Sequence, residues 1–104
     1  MVVYEVNLSI DSDIYPQFQL WLKKHVVQML QFPGFITASI LKQEIEKSSE
    51  QEKVTVQYQP ENRDDLEKYF VEFAPSMREE GIKLLNGTFS AERRIFAVQD
   101  TILK

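Results

Sequence analysis

A chain of 104 residues, 43% hydrophobic, 12% aromatic and 27% charged, is sized for one domain, 1–104, with enough apolar material for a packed core. Twelve basic residues against sixteen acidic leave a net charge of -4, which opposes the counterion-release attraction of phosphate backbones, so no nucleic acid and no anionic membrane is expected as a partner. The absence of cysteine removes disulfide frameworks, thiol nucleophiles and thiolate metal sites; Met1-Val2-Val3-Tyr4-Glu5 has no basic region ahead of an apolar stretch, and a cytoplasmic location fits.

From Val2 to Ile10 the chain alternates, with Val2, Tyr4, Val6, Leu8 and Ile10 on one face and Val3, Glu5, Asn7 and Ser9 on the other, the pattern of a strand with one buried face. Asp11-Ser12-Asp13 offers helix caps and Pro16 suits a first turn. The stripe Phe18, Trp21, Leu22, Val26, Met29 and Leu30 then predicts a helix. Phe32-Pro33-Gly34-Phe35 stops that helix with a turn and launches a second strand, Phe35 to Ile45. A charged, polar stretch from Glu46 to Lys53 predicts a mobile loop, closing a hairpin with a strand in which Val54, Val56 and Tyr58 alternate with Thr55 and Gln57.

Asn62 with Asp65 three residues on resembles a capping box, opening a helix with apolar positions at Leu66, Tyr69, Phe70, Phe73 and Met77. Pro75 interrupts it, and because an interior proline costs roughly 3 kcal/mol, a kink or restart is expected near Ala74, with the helical stretch ending at Asn86-Gly87. Phe89 to Gln99 closes the chain's pattern as a last strand, on which the adjacent Arg93 and Arg94 must point to opposite faces.

The order β-α-β-β-α-β is the ferredoxin-like arrangement, an α+β fold in which right-handed crossovers place both helices on one face of a four-stranded antiparallel sheet. The other face is then open. It carries Glu5 and Asn7 near its centre, Thr55, Gln57 and Gln59 on the third strand, and Thr37, Ser39 and Leu41 on the second. Val3, Leu41, Phe96 and Val98 would sit poorly on a wholly solvated surface, so dimerisation through this face is expected.

A helix ending in Phe32-Pro33-Gly34-Phe35 and running into a second strand resembles the dimeric α/β barrel superfamily, which includes the antibiotic-biosynthesis monooxygenases. The resemblance spans nearly the whole chain and implies two ferredoxin-like sheets packed face to face. More narrowly, Phe73-Ala74-Pro75 through Met77-Arg78-Glu79-Glu80-Gly81, with Phe89-Ser90-Ala91 through Arg93-Arg94-Ile95-Phe96, is similar to a bacterial family known only as a domain of unknown function. That likeness brings no activity with it.

The best polar constellation is Glu5, Asn7, Gln57 and Arg94, since the fourth strand should pair with the first and bring Arg94 across from Glu5. It is a candidate site for a small acidic or amide-bearing ligand, and equally a set of polar contacts satisfied at a dimer interface. His25, the only histidine, falls within the first helix's apolar stripe and reads as a packing residue; no metal and no cofactor are predicted. Asn7, Trp21 and His25 are residue types used by haem-degrading members of the superfamily, but there the tryptophan and histidine come from later elements, whereas both lie here on the first helix.

The acids of the second helical region, from Glu61 to Glu80, read as a solvated face. Strand three lacks the glycine and aromatic pattern of RNA-stacking sheets, and phosphate loops, serine elbows and dinucleotide fingerprints are absent. The expectation is a homodimeric barrel that binds a small molecule or serves in assembly without established catalysis. Its alternative is a cofactor-independent monooxygenase acting in the barrel interior, marked by an enclosed pocket lined by Asn7 and a perturbed acid or base.

Overall fold

The strand order of the sheet is β2-β3-β1-β4, every neighbouring pair antiparallel, in a computed structural model that describes residues 1–44, 50–85 and 89–104. Along the chain run β1 (Val2–Asp11), a 3-10 turn (Ser12–Ile14), α1 (Tyr15–Met29), β2 (Phe35–Lys42), β3 (Gln51–Pro60), α2 (Arg63–Glu72), α3 (Ala74–Leu85) and β4 (Phe89–Ala97). This is the ferredoxin-like fold. The helices cover one face, giving a slab with extents of 39 × 38 × 18 Å.

Period two on the strands and 3.6 on the helices build the core between the layers. Tyr4, Leu8 and Ile10 of β1 and Val54, Val56 and Tyr58 of β3 are buried against Phe18, Leu22, Val26 and Met29 of α1 and Leu66 and Tyr69 of α2. Among the described residues no helix is long and apolar enough to cross a membrane.

Several boundaries differ from the sequence expectation, each for a physical reason. β3 begins at Gln51 because Gln51, Glu52 and Lys53 find backbone partners opposite Asp11, Ile10 and Ser9 of the long β1, despite their polar side chains. Part of the expected loop is therefore strand, while Ile45 and the loop's first residues, Glu46 to Ser49, lie outside the described residues, as does the expected Asn86-Gly87 helix end. β4 stops at Ala97 rather than Gln99, tied off by Val98 N donating to Met1 O at 2.8 Å. Asp11-Ser12-Asp13 does not cap α1: a 3-10 turn intervenes and Ile14 takes the N-cap position with no side-chain bond.

At Pro75 the helical stretch breaks one residue ahead of Ala74, with Phe73 leaving helical geometry at φ -122, ψ -30. Proline then falls in the first turn of α3, where its missing donor removes no intrahelical bond. At α2 the expected cap forms, Asp65 N donating to Asn62 Oδ1 at 2.9 Å.

The Phe32-Pro33-Gly34-Phe35 joint is a turn with proline second and glycine third; Phe35 N donates to Phe32 O at 3.2 Å and Gly34 has φ +83, the signature of type II. A Cβ on Gly34 would run into the Asp65 side chain, so the turn is seated directly on the first turn of α2. Phe32 stacks on Phe73 at 4.4 Å from the other side. Gly34→Ala, which meets both the left-handed backbone and Asp65, is expected to cost roughly 1–3 kcal/mol in urea denaturation, more than the ~1 kcal/mol of Asn62→Ala. An unchanged midpoint in Gly34→Ala would contradict this account of the joint.

Candidate functional site

The two faces of β1 carry two different sites. On the open face the register sets Glu5 between Gln57 and Arg94, and Asn7 between Thr55 and Glu92. Gln57 Nε2 donates to Glu5 Oε2 at 3.2 Å, Asn7 Nδ2 donates to Glu5 Oε1 at 2.9 Å, and Thr55 Oγ1 donates to Asn7 Oδ1 at 2.7 Å. Glu5, Asn7 and Gln57 thus form one connected, half-buried polar set, to which Thr55 is an unforeseen fourth member.

Arg94 does not join that set. It lies opposite Glu5 in the ladder as expected, but its guanidinium donates to Glu92 Oε1 at 2.9 Å. Glu92 lies two residues away on the same face of an edge strand, while Glu5 already accepts from two neighbours. The hydrogen bond and charge of Glu92 raise the Arg94 pKa, with Glu5 adding only a smaller electrostatic effect. A hollow of about 260 Å³ lies beside this set, bordered by Asn7, Ser9, Lys53, Thr55, Glu92 and Gln43, with the sheet alone as its floor.

The cavity roofed by the helices lies on the opposite side of the sheet and is not lined by Asn7, unlike the pocket expected in the barrel interior. It holds about 60 Å³ of free space, room for a few waters and less than half of the roughly 150 Å³ that takes up a benzene ring, so a ring enters only as the helices give. Its floor is Tyr4, Val6, Val56, Tyr58 and Arg93; α1 contributes Trp21 and His25, α2 Tyr69, and α3 Met77, Arg78 and Gly81.

Trp21 and His25, one turn apart on α1, stack at 4.7 Å with 21° between their planes. A Cβ on Gly81 would lie 3.2 Å from the Trp21 ring, so a larger residue there would require the indole to shift by a few tenths of an ångström. Tyr4 stacks on Tyr58 at 5.8 Å and meets the Phe70 edge at 5.1 Å, while its hydroxyl accepts from Arg78 Nη2 at 3.5 Å.

Burial pushes the phenols of Tyr58 and Tyr69 well above their ordinary pKa and keeps them neutral. Burial also lowers the His25 pKa, helped by the Arg93 charge and opposed by Glu80. His25 Nδ1 is closed off from solvent with no hydrogen-bond partner among the described residues. The chemistry-bearing groups here are therefore a neutral imidazole, three phenols and two guanidinium groups in an aromatic shell. Among the described residues no three His, Cys, Asp or Glu side chains gather as a metal site would require. Asn7 is separated by the sheet from Trp21 and His25, so the three haem-type residues do not meet.

Sequence reasoning placed Trp21 and His25 on the covered side but missed Tyr4, Tyr58, Tyr69, Arg78, Arg93 and Gly81 as lining residues. Two signals pointed to them. One of the adjacent arginines had to enter the covered register, and it is Arg93, opposite Val6. A glycine inside a helix, at a cost of about 1 kcal/mol against alanine, marks a close approach.

A half-open antiparallel sheet under one helical layer defines a ferredoxin-like fold, shared with a solved structure described as an antibiotic biosynthesis monooxygenase. The chain belongs to the DUF4286 family, a domain of unknown function, whose model matches residues 1–99. Among curated proteins there is no sequence match.

Similar solved structures include a protein of Deinococcus radiodurans provisionally described as an antibiotic biosynthesis monooxygenase, with TM-score 0.73 and 12% identity over 100% of this chain and 98% of that one. SnoaB, a cofactor-independent oxygenase from Streptomyces nogalater, gives 0.70 and 16% over 99% and 98%. The heme-degrader MhuD from Mycobacterium tuberculosis, solved with two hemes bound in its active site, gives 0.63 and 16% over 96% and 98%. At these identities the likeness is one of fold.

The lowered His25 pKa has a consequence for stability. The folded chain binds this proton less readily than the unfolded chain, so stability is unaffected above the ordinary value of 6.5 and falls as pH drops from there toward the folded pKa. The single histidine resonance should titrate below 6.5 by NMR, and His25→Phe should lose less melting temperature than the wild type between pH 7 and pH 5. A titration at or above 6.5 would contradict the burial argument.

Proposed function

We propose that the protein is a cytoplasmic homodimer, closed through its open sheet faces, in which each subunit binds one small aromatic molecule between the sheet and the helices. The observation that carries the binding reading is the roofed cavity, an apolar aromatic shell on which a few polar groups converge, which is how small-molecule sites are built. The dimer reading is supported by Leu41 and Phe96, 46% and 43% exposed on a sheet face with no covering layer, and by the slab's 18 Å thickness.

In that dimer the set formed by Glu5, Asn7, Gln57 and Thr55 is the polar centre of the interface, fixing the register of one sheet on the other, with Arg94 near its rim. A ligand-binding role for Glu5, Asn7, Gln57 and Arg94 ranks second, because of the four only Asn7 borders the hollow on that face.

One observation favours catalysis as a second reading. His25 lines the cavity with its Nδ1 buried and unpartnered among the described residues, and an imidazole placed there can accept a proton from a bound molecule; the fold is shared with SnoaB, a cofactor-independent oxygenase. Oxygen consumption with phenolic substrates, lost in His25→Gln, would establish it; binding without consumption leaves the first reading.

Two measurements test the main proposal. At micromolar concentration the protein should elute as a dimer and Leu41→Glu with Phe96→Glu should yield a folded monomer; a monomeric wild type refutes the interface. Trp21 is the sole tryptophan and lines the cavity, so occupancy should shift its emission while raising the melting temperature by mass action. Single-ring aromatics should produce both effects, and Val6→Phe, which fills the floor, should abolish them. A panel of such compounds with no effect on Trp21 would refute the cavity reading.

A further inference from the structure

The chain has four arginines, and they divide cleanly by environment. Arg63 pairs with Glu67 at 3.3 Å and Arg94 with Glu92 at 2.9 Å, both on exposed surface. Arg78 and Arg93 have no carboxylate partner among the described residues, and both line the helix-side cavity. In a chain of net charge -4 carboxylates are not scarce, and Glu79, adjacent to Arg78, is engaged by Lys83 at 3.1 Å.

These two cations approach the cavity from opposite layers, Arg78 lying over the Phe70 ring at 6.0 Å. Arg78 comes from α3, reaching the Tyr4 hydroxyl at 3.5 Å, and Arg93 from β4, leaving the strand on the covered side opposite Val6. Electrostatic coupling of Arg93 to His25, Tyr58 and Tyr69, and of Arg78 to Tyr69, places both charges within reach of the same polar groups. Both residues are exposed, so the charges stand at the cavity mouth while the aromatic shell lies behind them. Two like charges over one apolar opening repel each other, and an anion between them removes that repulsion while gaining charge-assisted, planar hydrogen bonds.

We infer that Arg78 and Arg93 form an anion anchor, and that the molecule taken up is a single-ring aromatic carboxylate, its ring against Trp21 and its carboxylate between the two guanidinium groups. This rests on the cavity reading proposed above and adds the charge and size of the ligand. The free space of about 60 Å³ admits no more than one ring, and that only as the helices give, and the Trp21 and Tyr4 rings supply the stacking surface.

The test uses sodium benzoate and benzamide, which share a ring and shape and differ in charge, titrated against Trp21 emission at fixed ionic strength. Benzoate should bind about tenfold more tightly than benzamide, and added sodium chloride should weaken benzoate alone. Arg78→Gln and Arg93→Gln should each reduce the preference, and the double variant should bind the two probes alike while still unfolding cooperatively when empty. Equal affinities in the wild type, or a preference that survives in the double variant, overturn the anchor and leave the cavity reading standing. No response to either probe overturns both.

Discussion

The register in which β1 pairs with β3 and β4 is the constraint from which both faces of the protein follow. Because side chains alternate along a strand, a slip of one residue would carry Tyr4, Leu8 and Ile10 onto the open face and press Glu5 and Asn7 under the helices. Burying a carboxylate there without its partners would cost several kcal/mol, so the apolar core and the Glu5 network select the same register. That register also decides the fate of the adjacent arginines. With Val6 opposite Arg93 and Glu5 opposite Arg94, one guanidinium is sent to the helix side and the other to the open side.

Elements whose identity rests on periodicity were legible in the chain. Alternation gave β1 and the centre of β3, the stripe from Phe18 to Met29 gave α1, and Asn62, Pro75 and Gly34 each marked a boundary within a residue or two. The open-face set was legible for the same reason: pairing β1 with β3 puts Glu5 beside Gln57 whatever their rotamers. The Arg94 contact was not. Register fixes where a Cα lies, but a guanidinium on a long stem chooses among all carboxylates in reach, and Glu92 on its own strand is better placed than a Glu5 already holding two donors.

The cavity escaped sequence reasoning because it is made by a tertiary coincidence. The helix restarts at Ala74, and α3 brings Gly81 against Trp21 and Arg78 to the Tyr4 hydroxyl. No local pattern encodes the meeting of α1 with α3; periodicity alone shows only that Trp21 and His25 fall within the apolar stripe of α1. A lone glycine within a helix and a charge in a covered strand register each depart from the local rule, and they converge on one place.

Rigid side chains explain why this space persists instead of collapsing. Tyr4, Tyr58, Tyr69, Trp21 and His25 are planar groups that tilt or stack against one another but cannot fold into a gap as leucine or isoleucine would. Gly81 contributes no side chain to fill it, and Met77, a flexible apolar side chain of α3, stays half-buried at its side. The sheet below is locked by its backbone ladders, whereas the helices above are held mainly by side-chain packing. Adjustment to an occupant therefore falls on α1 and α3, and the open sheet face can be committed to a partner subunit without being disturbed.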